Sequence, residues 1–172
     1  MGGGGFSAVL FDWRGTLFHD ESDRDWILAS AGAIGRQMAE SEANLLAQAL
    51  ADVDQHPQVR EARQQADCSL ALHRAATLLQ LRLAGFDPDL ALAVWQRDGN
   101  PLASFPYPDT APMLRTLKAR GVRVGIISDI HYDLRPMSSI TGWRTWSTRS
   151  RCRSSTAGRS PIRACSRLRW PR

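Results

Sequence analysis

The chain has 172 residues, 43% of them apolar, which is enough for one ordinary domain with a core and excludes disorder throughout. No run approaches the ~18 consecutive apolar residues of a membrane span, and the glycine-rich start has neither a basic flank nor a secretory hydrophobic segment, so a cytoplasmic protein without membrane association is expected. The net charge of +5 conceals two regions: residues 1–134 carry twelve basic and seventeen acidic side chains, net −5, whereas residues 135–172 carry ten basic ones and no acid.

Ala8-Val9-Leu10-Phe11 is a short apolar run that ends at Asp12 and is followed by Gly15 and Thr16, the pattern of a buried strand opening into a tight loop. From Ser22 to Pro101 apolar residues recur at three-to-four spacing, as in Trp26, Ile27, Ile34 and Met38 and again in Leu45, Leu46, Leu50 and Val53, which predicts consecutive helices. Pro57 suits the first turn of one long helix running through Leu70, Leu72, Leu78, Leu79 and Leu83, with Gly85 as its left-handed cap. Asp87-Pro88 opens the next helix, which carries Leu90, Leu92, Val94 and Trp95 until Gly99-Asn100-Pro101 stops it. Trp26 and Trp95 are expected in the core of this helical segment. Pro106-Tyr107-Pro108-Asp109 is a connector to a helix with Met113, Leu114 and Leu117, ended by Gly121, and Val122–Ile127 reads as a second strand. The economical architecture is α/β, a parallel sheet interrupted by a helical insertion.

A carboxylate at the C-terminal end of such a strand stands where open α/β sheets bind ligands and can attack a phosphorus or carbon centre, so Asp12 is the candidate nucleophile. Gly15 allows a tight turn that presents N–H groups to an anionic oxygen, and Thr16 and Ser128 can add hydroxyls to this cradle. Taken alone, Asp-x-x-Gly-Thr is also an ordinary strand-to-turn signal, and Ser128 alone an ordinary strand-end hydroxyl. Cys68, Cys152 and Cys165 are odd in number and lack Cys-x-x-Cys spacing, so reduced thiols are expected and a zinc site is not.

In sequence order, Phe11-Asp12-Trp13-Arg14-Gly15-Thr16-Leu17 resembles the first motif of the haloacid dehalogenase-like (HAD) hydrolases, Asp-x-Asp-Gly-Thr after an apolar strand, and Ile126-Ile127-Ser128 resembles the second. Tyr107-Pro108-Asp109 and the Leu117–Gly121 helix end are similar to what family members with a helical cap place before motif two. The resemblance covers residues 8 to about 136. It implies a Rossmann-like core from residues 1–19 and 106–136, present only in its N-terminal part, an α-helical cap at 20–105, and a separate tail at 137–172. It further implies phosphatase- or dehalogenase-type chemistry through an aspartyl-enzyme intermediate at Asp12, and a small anionic substrate such as a phosphate ester or halo acid. A magnesium ion held by Asp12 and the Arg14 carbonyl is implied as well.

The sequence departs from the family pattern at several places. Phosphatases of this family carry their general acid/base where this chain has Arg14, and a guanidinium stays protonated at any ordinary pH. Arg14 can instead pair with Asp12, hold an anionic substrate or reach solvent, and members that cleave carbon–halogen or carbon–phosphorus bonds also lack Asp there. After Lys118 there is no lysine for motif three and after Asp133 no acid for motif four, so impaired activity and weak metal binding are expected. Asp129 and Asp133 are poor replacements. His19 and His131 are expected to be exposed loop residues; His56 and His73 belong to helices without metal-ligand spacing.

The tail, rich in Arg, Ser and Thr with Trp143, Trp146 and Trp170, shows no helical or alternating pattern. It reads as a disordered or out-of-frame extension; Arg159–Arg163 can be encoded so that a shifted frame yields Lys-Pro-Asp-Pro, a typical motif-three string. The alternative is a non-catalytic protein whose basic arm binds nucleic acid or another polyanion, a partner less expected than a small molecule, or an inactive remnant. Oligomeric state is not legible.

Overall fold

The computed structural model describes residues 6–126 and residue 128. β1 (Ala8–Phe11) lies parallel to β4 (Arg123–Ile126), with Ala8 opposite Arg123 and Phe11 opposite Ile126. Parallel neighbours need a crossover, and the one immediately preceding β4 is α6 (Thr110–Ala119). Gly121, at φ +71°, turns the chain from the end of α6 into β4, where an L side chain would be strained.

Alternation along the strands sends Phe11, Val124 and Ile126 to the face that α6 covers. There they join Leu114, Leu117 and Met113 around the buried Trp13, Leu17 and Phe18. The opposite face stays open among the described residues: Leu10 is 62% exposed and sits across from Gly125. A pair of strands covered on one side therefore satisfies half of what a parallel sheet buries. The fold class is α/β with a small parallel sheet and a large helical insertion, as the pattern of the sequence suggested.

The insertion is rooted in a feature the sequence did not reveal, an antiparallel ribbon of β2 (Phe18–Asp20) and β3 (Ser104–Pro106). Three residues per strand are too few for an alternation to register, and Pro106 gives no ladder donor. Between these strands run α1 (Asp23–Ala33), α2 (Glu40–Asp52), α3 (Pro57–Arg63), α4 (Leu70–Leu83) and α5 (Pro88–Asp98). Their shared core contains Ile27, Leu81, Leu90 and Val94, all essentially inaccessible, with Trp26 packed partly against it. Among the described residues no helix is long and apolar enough to cross a membrane.

The single helix expected from Pro57 to Leu83 is instead two. A 3-10 turn at Ala66–Cys68 breaks it, and the Ser69 hydroxyl accepts from the Leu72 N–H at 3.2 Å to start α4 anew. A side-chain oxygen that satisfies an orphan N–H offers the backbone an exit from one helix and an entry to the next. Gly85 takes the left-handed conformation after α4, φ +88°, and Asp87 caps α5 by accepting from the Asp89 and Leu90 N–H groups at 3.1 Å. Leu45, counted on the apolar face of α2, is 73% exposed. Cys68 ends the 3-10 turn before α4. Cys152, Cys165 and the whole of the basic tail lie outside the described residues.

Trp13 is fully buried and stacks on Phe18 with ring centroids 3.8 Å apart and planes 12° from parallel. Replacing Trp13 with Ala is expected to lower unfolding free energy by about 3–5 kcal/mol, read from the urea midpoint. A shift worth less than ~1 kcal/mol would mean that this ring does not organise the small core.

Candidate functional site

The loop after β1 is closed by its own backbone. The Trp13 carbonyl accepts from both the Leu17 and Phe18 N–H groups at 3.0 Å, and the Gly15 N–H donates to the Phe18 carbonyl at 2.8 Å. Gly15 holds φ +73°, the left-handed value that makes this return possible. While Trp13 points inward, its neighbour Asp12 is exposed, and Asp12 Oδ1 accepts from the Trp13 N–H at 2.7 Å. One carboxylate oxygen is thus fixed by the loop.

The parallel register places the end of β1 beside the end of β4, since Phe11 faces Ile126. Asp12 and Ser128 therefore leave the sheet at the same edge. Ser128 is 4% exposed, and its Oγ has no hydrogen-bond partner among the described residues. Leaving a buried hydroxyl without a partner costs on the order of 1–3 kcal/mol.

The cradle expected from sequence is only partly present. The Gly15 N–H is spent inside the loop rather than presented outward. Thr16 is exposed in the turn. His131, Asp129 and Asp133 lie outside the described residues.

Arg14 turns away from Asp12. Its Nη2 meets Asp98 Oδ1 at 2.9 Å and the Asp98 carbonyl at 3.5 Å, and its Nε lies 3.2 Å from Asp20 Oδ2. The other Asp98 oxygen faces His73 Nε2 at 3.4 Å, and Asp20 accepts from the Ser104 hydroxyl at 2.8 Å. Burial works against the charge of Asp98, but the hydrogen bond from His73 and the nearby Arg14 outweigh it, so its carboxyl stays below the usual carboxylate range. Beside this group Arg97 Nε donates to Glu21 Oε2 at 2.8 Å.

These side chains line a cleft of about 200 Å³ whose walls include Arg14, Asp20, Glu21, Trp26, Arg97 and Asp98. Asp23 also borders it, so four carboxylates face two guanidiniums and the cleft does not attract anions. Asp20, Asp98 and His73 were not singled out in the sequence as a group. No local pattern links them to Arg14, because 84 residues separate Arg14 from Asp98.

His19 lies on β2 rather than in a loop, within 5.8 Å and 5.2 Å of the Phe105 and Tyr107 rings. His56 caps α3 by accepting from the Gln58 N–H at 3.3 Å, and His73 sits 5.3 Å from the Trp95 ring. Among the described residues no group of three His, Cys, Asp or Glu side chains could hold a metal ion, and Asp12 with the Arg14 carbonyl falls well short of the six oxygens that magnesium takes.

β1 is followed by an exposed carboxylate and a tight glycine turn, and Ser128 lies just beyond the neighbouring parallel strand. A haloacid dehalogenase-like hydrolase family model matches residues 6–142, and the chain belongs to that family. Among solved structures it is similar to a 2-haloacid dehalogenase from Pseudomonas syringae pv. Tomato DC3000, at 20% identity and a TM-score of 0.39. That match takes in 83% of this chain and 64% of the other, so the chain spans less than two thirds of its length. Comparison with curated proteins finds no match.

If the Ser128 hydroxyl is reserved for a ligand, Ser128→Ala costs nothing in the free protein. The melting temperature is expected to stay within a degree or so or to rise, because the variant removes a buried polar atom that has no partner among the described residues. A clear drop in melting temperature would assign Ser128 a structural partner instead.

Proposed function

We propose that this chain is built for hydrolysis through a covalent aspartyl-enzyme intermediate at Asp12. The observation that carries the reading is the exposed Asp12 carboxylate at the tip of β1, at the same sheet edge as the buried Ser128 hydroxyl, which has no partner among the described residues. With Oδ1 held by the Trp13 N–H, Oδ2 is the oxygen left to attack. Attack on a carbon centre forms an ester to Asp12, attack on phosphorus an acyl phosphate, and either expels the leaving group with its bonding electrons. Water then cleaves this intermediate, returning the carboxylate and releasing the product and a proton.

The leaving group decides which substrate suits this loop. An alkoxide expelled from a phosphate monoester needs a proton, and Arg14 cannot supply one. A halide departs as a stable anion without help, so carbon–halogen cleavage of a small acid fits these residues better than phosphomonoester hydrolysis. Thr16 and Ser128 are the hydroxyls proposed to receive the substrate's anionic group; the acidic cleft beyond Arg14 is not suited to it. Residues 20–105 act in this reading as a cap over the site. Magnesium has no step in it.

The test is hydrolysis of a 2-halo acid and of a generic phosphate ester by the purified chain, with and without magnesium. Slow halide release, unchanged by magnesium and lost by at least about a hundredfold in Asp12→Asn, is the expected result. Halide release that survives Asp12→Asn would overturn the assignment, and phosphate release that depends on magnesium and on Asp12 would redirect it to phosphatase chemistry.

A further inference from the structure

We propose that Arg14 is a latch, its guanidinium tying the loop that carries Asp12 to α5 of the helical insertion, with Asp98 and His73 as the residues that position it. The contacts form one continuous series. Ser104 of β3 holds Asp20 of β2, Asp20 holds Arg14, Arg14 holds Asp98 at the end of α5, and Asp98 meets His73 of α4. That series touches the strand by which the chain enters the insertion, the strand by which it returns, and two of the insertion's helices. The Arg97 to Glu21 pair runs alongside, joining α5 to the residue just after β2.

A second tie is needed here because the ribbon itself is weak. Two strands of three residues, one ending in proline, are marginal on their own and leave the insertion free to swing. The ion pairs differ in what they add. Asp20 keeps 46% of its side chain exposed, so its pair with Arg14 is largely screened, whereas Asp98 keeps 17% and is bonded from two sides. The Asp98 end is therefore where the latch holds. Arginine suits the position because its planar fork reaches two carboxylates at once, which a lysine ammonium on its single tip does not. With both carboxylates engaged, the guanidinium is withdrawn from Asp12, two residues before it. The latch does not depend on the chemistry proposed for Asp12, so one can fail while the other stands.

Amide hydrogen exchange on the full chain tests it, with Arg14→Met, Asp98→Asn and the double variant. Each single substitution is expected to speed exchange in the β2–β3 ribbon and in the last turn of α5 by about tenfold while leaving α2 unchanged, and the double variant to do no more than either single. Unchanged exchange in the singles, an effect that multiplies in the double, or equal acceleration in α2 would each overturn the proposal. Where Arg14→Met fails to fold, Arg14→Lys serves: it is expected to give a smaller acceleration confined to the same segments, and unaltered protection there would overturn the latch equally.

Discussion

The inward turn of Trp13 is the constraint on which the site depends. Its ring is sealed against Phe18 and its carbonyl gathers the Leu17 and Phe18 N–H groups, which closes the loop after β1. Because Trp13 goes in, Asp12 goes out. The same residue's N–H then fixes one oxygen of that carboxylate. A buried aromatic therefore does two jobs, closing the small core that β1, β4 and α6 share and setting the direction of the proposed nucleophile. The cost appears elsewhere: the Gly15 N–H closes the loop and is not left facing outward for an anion.

The helical insertion poses a different problem. Its own core of Ile27, Leu81, Leu90 and Val94 gives it internal stability, and among the described residues it joins the sheet through two very short strands and a set of charged side chains. Ion pairs at a surface contribute little, and those shielded from water contribute more provided each partner is satisfied. Asp98, bonded by Arg14 and His73 and kept charged despite its burial, meets that condition. The residue that departs most from the family pattern, Arg14, is thus explained by what it touches on the far side of the junction.

What could be read in the sequence followed from local physics. The strand at Ala8–Phe11, the outward position of Asp12, the left-handed glycine at 85, the helix stop at Gly121, the helix start at Asp87 and the helix before β4 each have a signal within a few residues of themselves. What was missed is either too short or too distant. The β2–β3 ribbon has no period to detect, the break between α3 and α4 hinges on one Ser69 hydroxyl, and Arg14 finds Asp98 only after five helices have folded between them. The inward use of the Gly15 N–H was likewise hidden, since a glycine turn looks the same in sequence whether its donors face in or out.

The proposed chemistry requires Asp12 to form a bond to the substrate. A single turnover of a 2-halo acid with the chain in excess, run in heavy-oxygen water, reports this through the mass of the peptide that bears Asp12. Water that cleaves an aspartyl ester at its carbonyl leaves one heavy oxygen in that peptide and none in the first product, which is the predicted result. Heavy oxygen in the product alone, with the peptide unlabelled, would mean that water attacks the substrate directly and that Asp12 is no nucleophile.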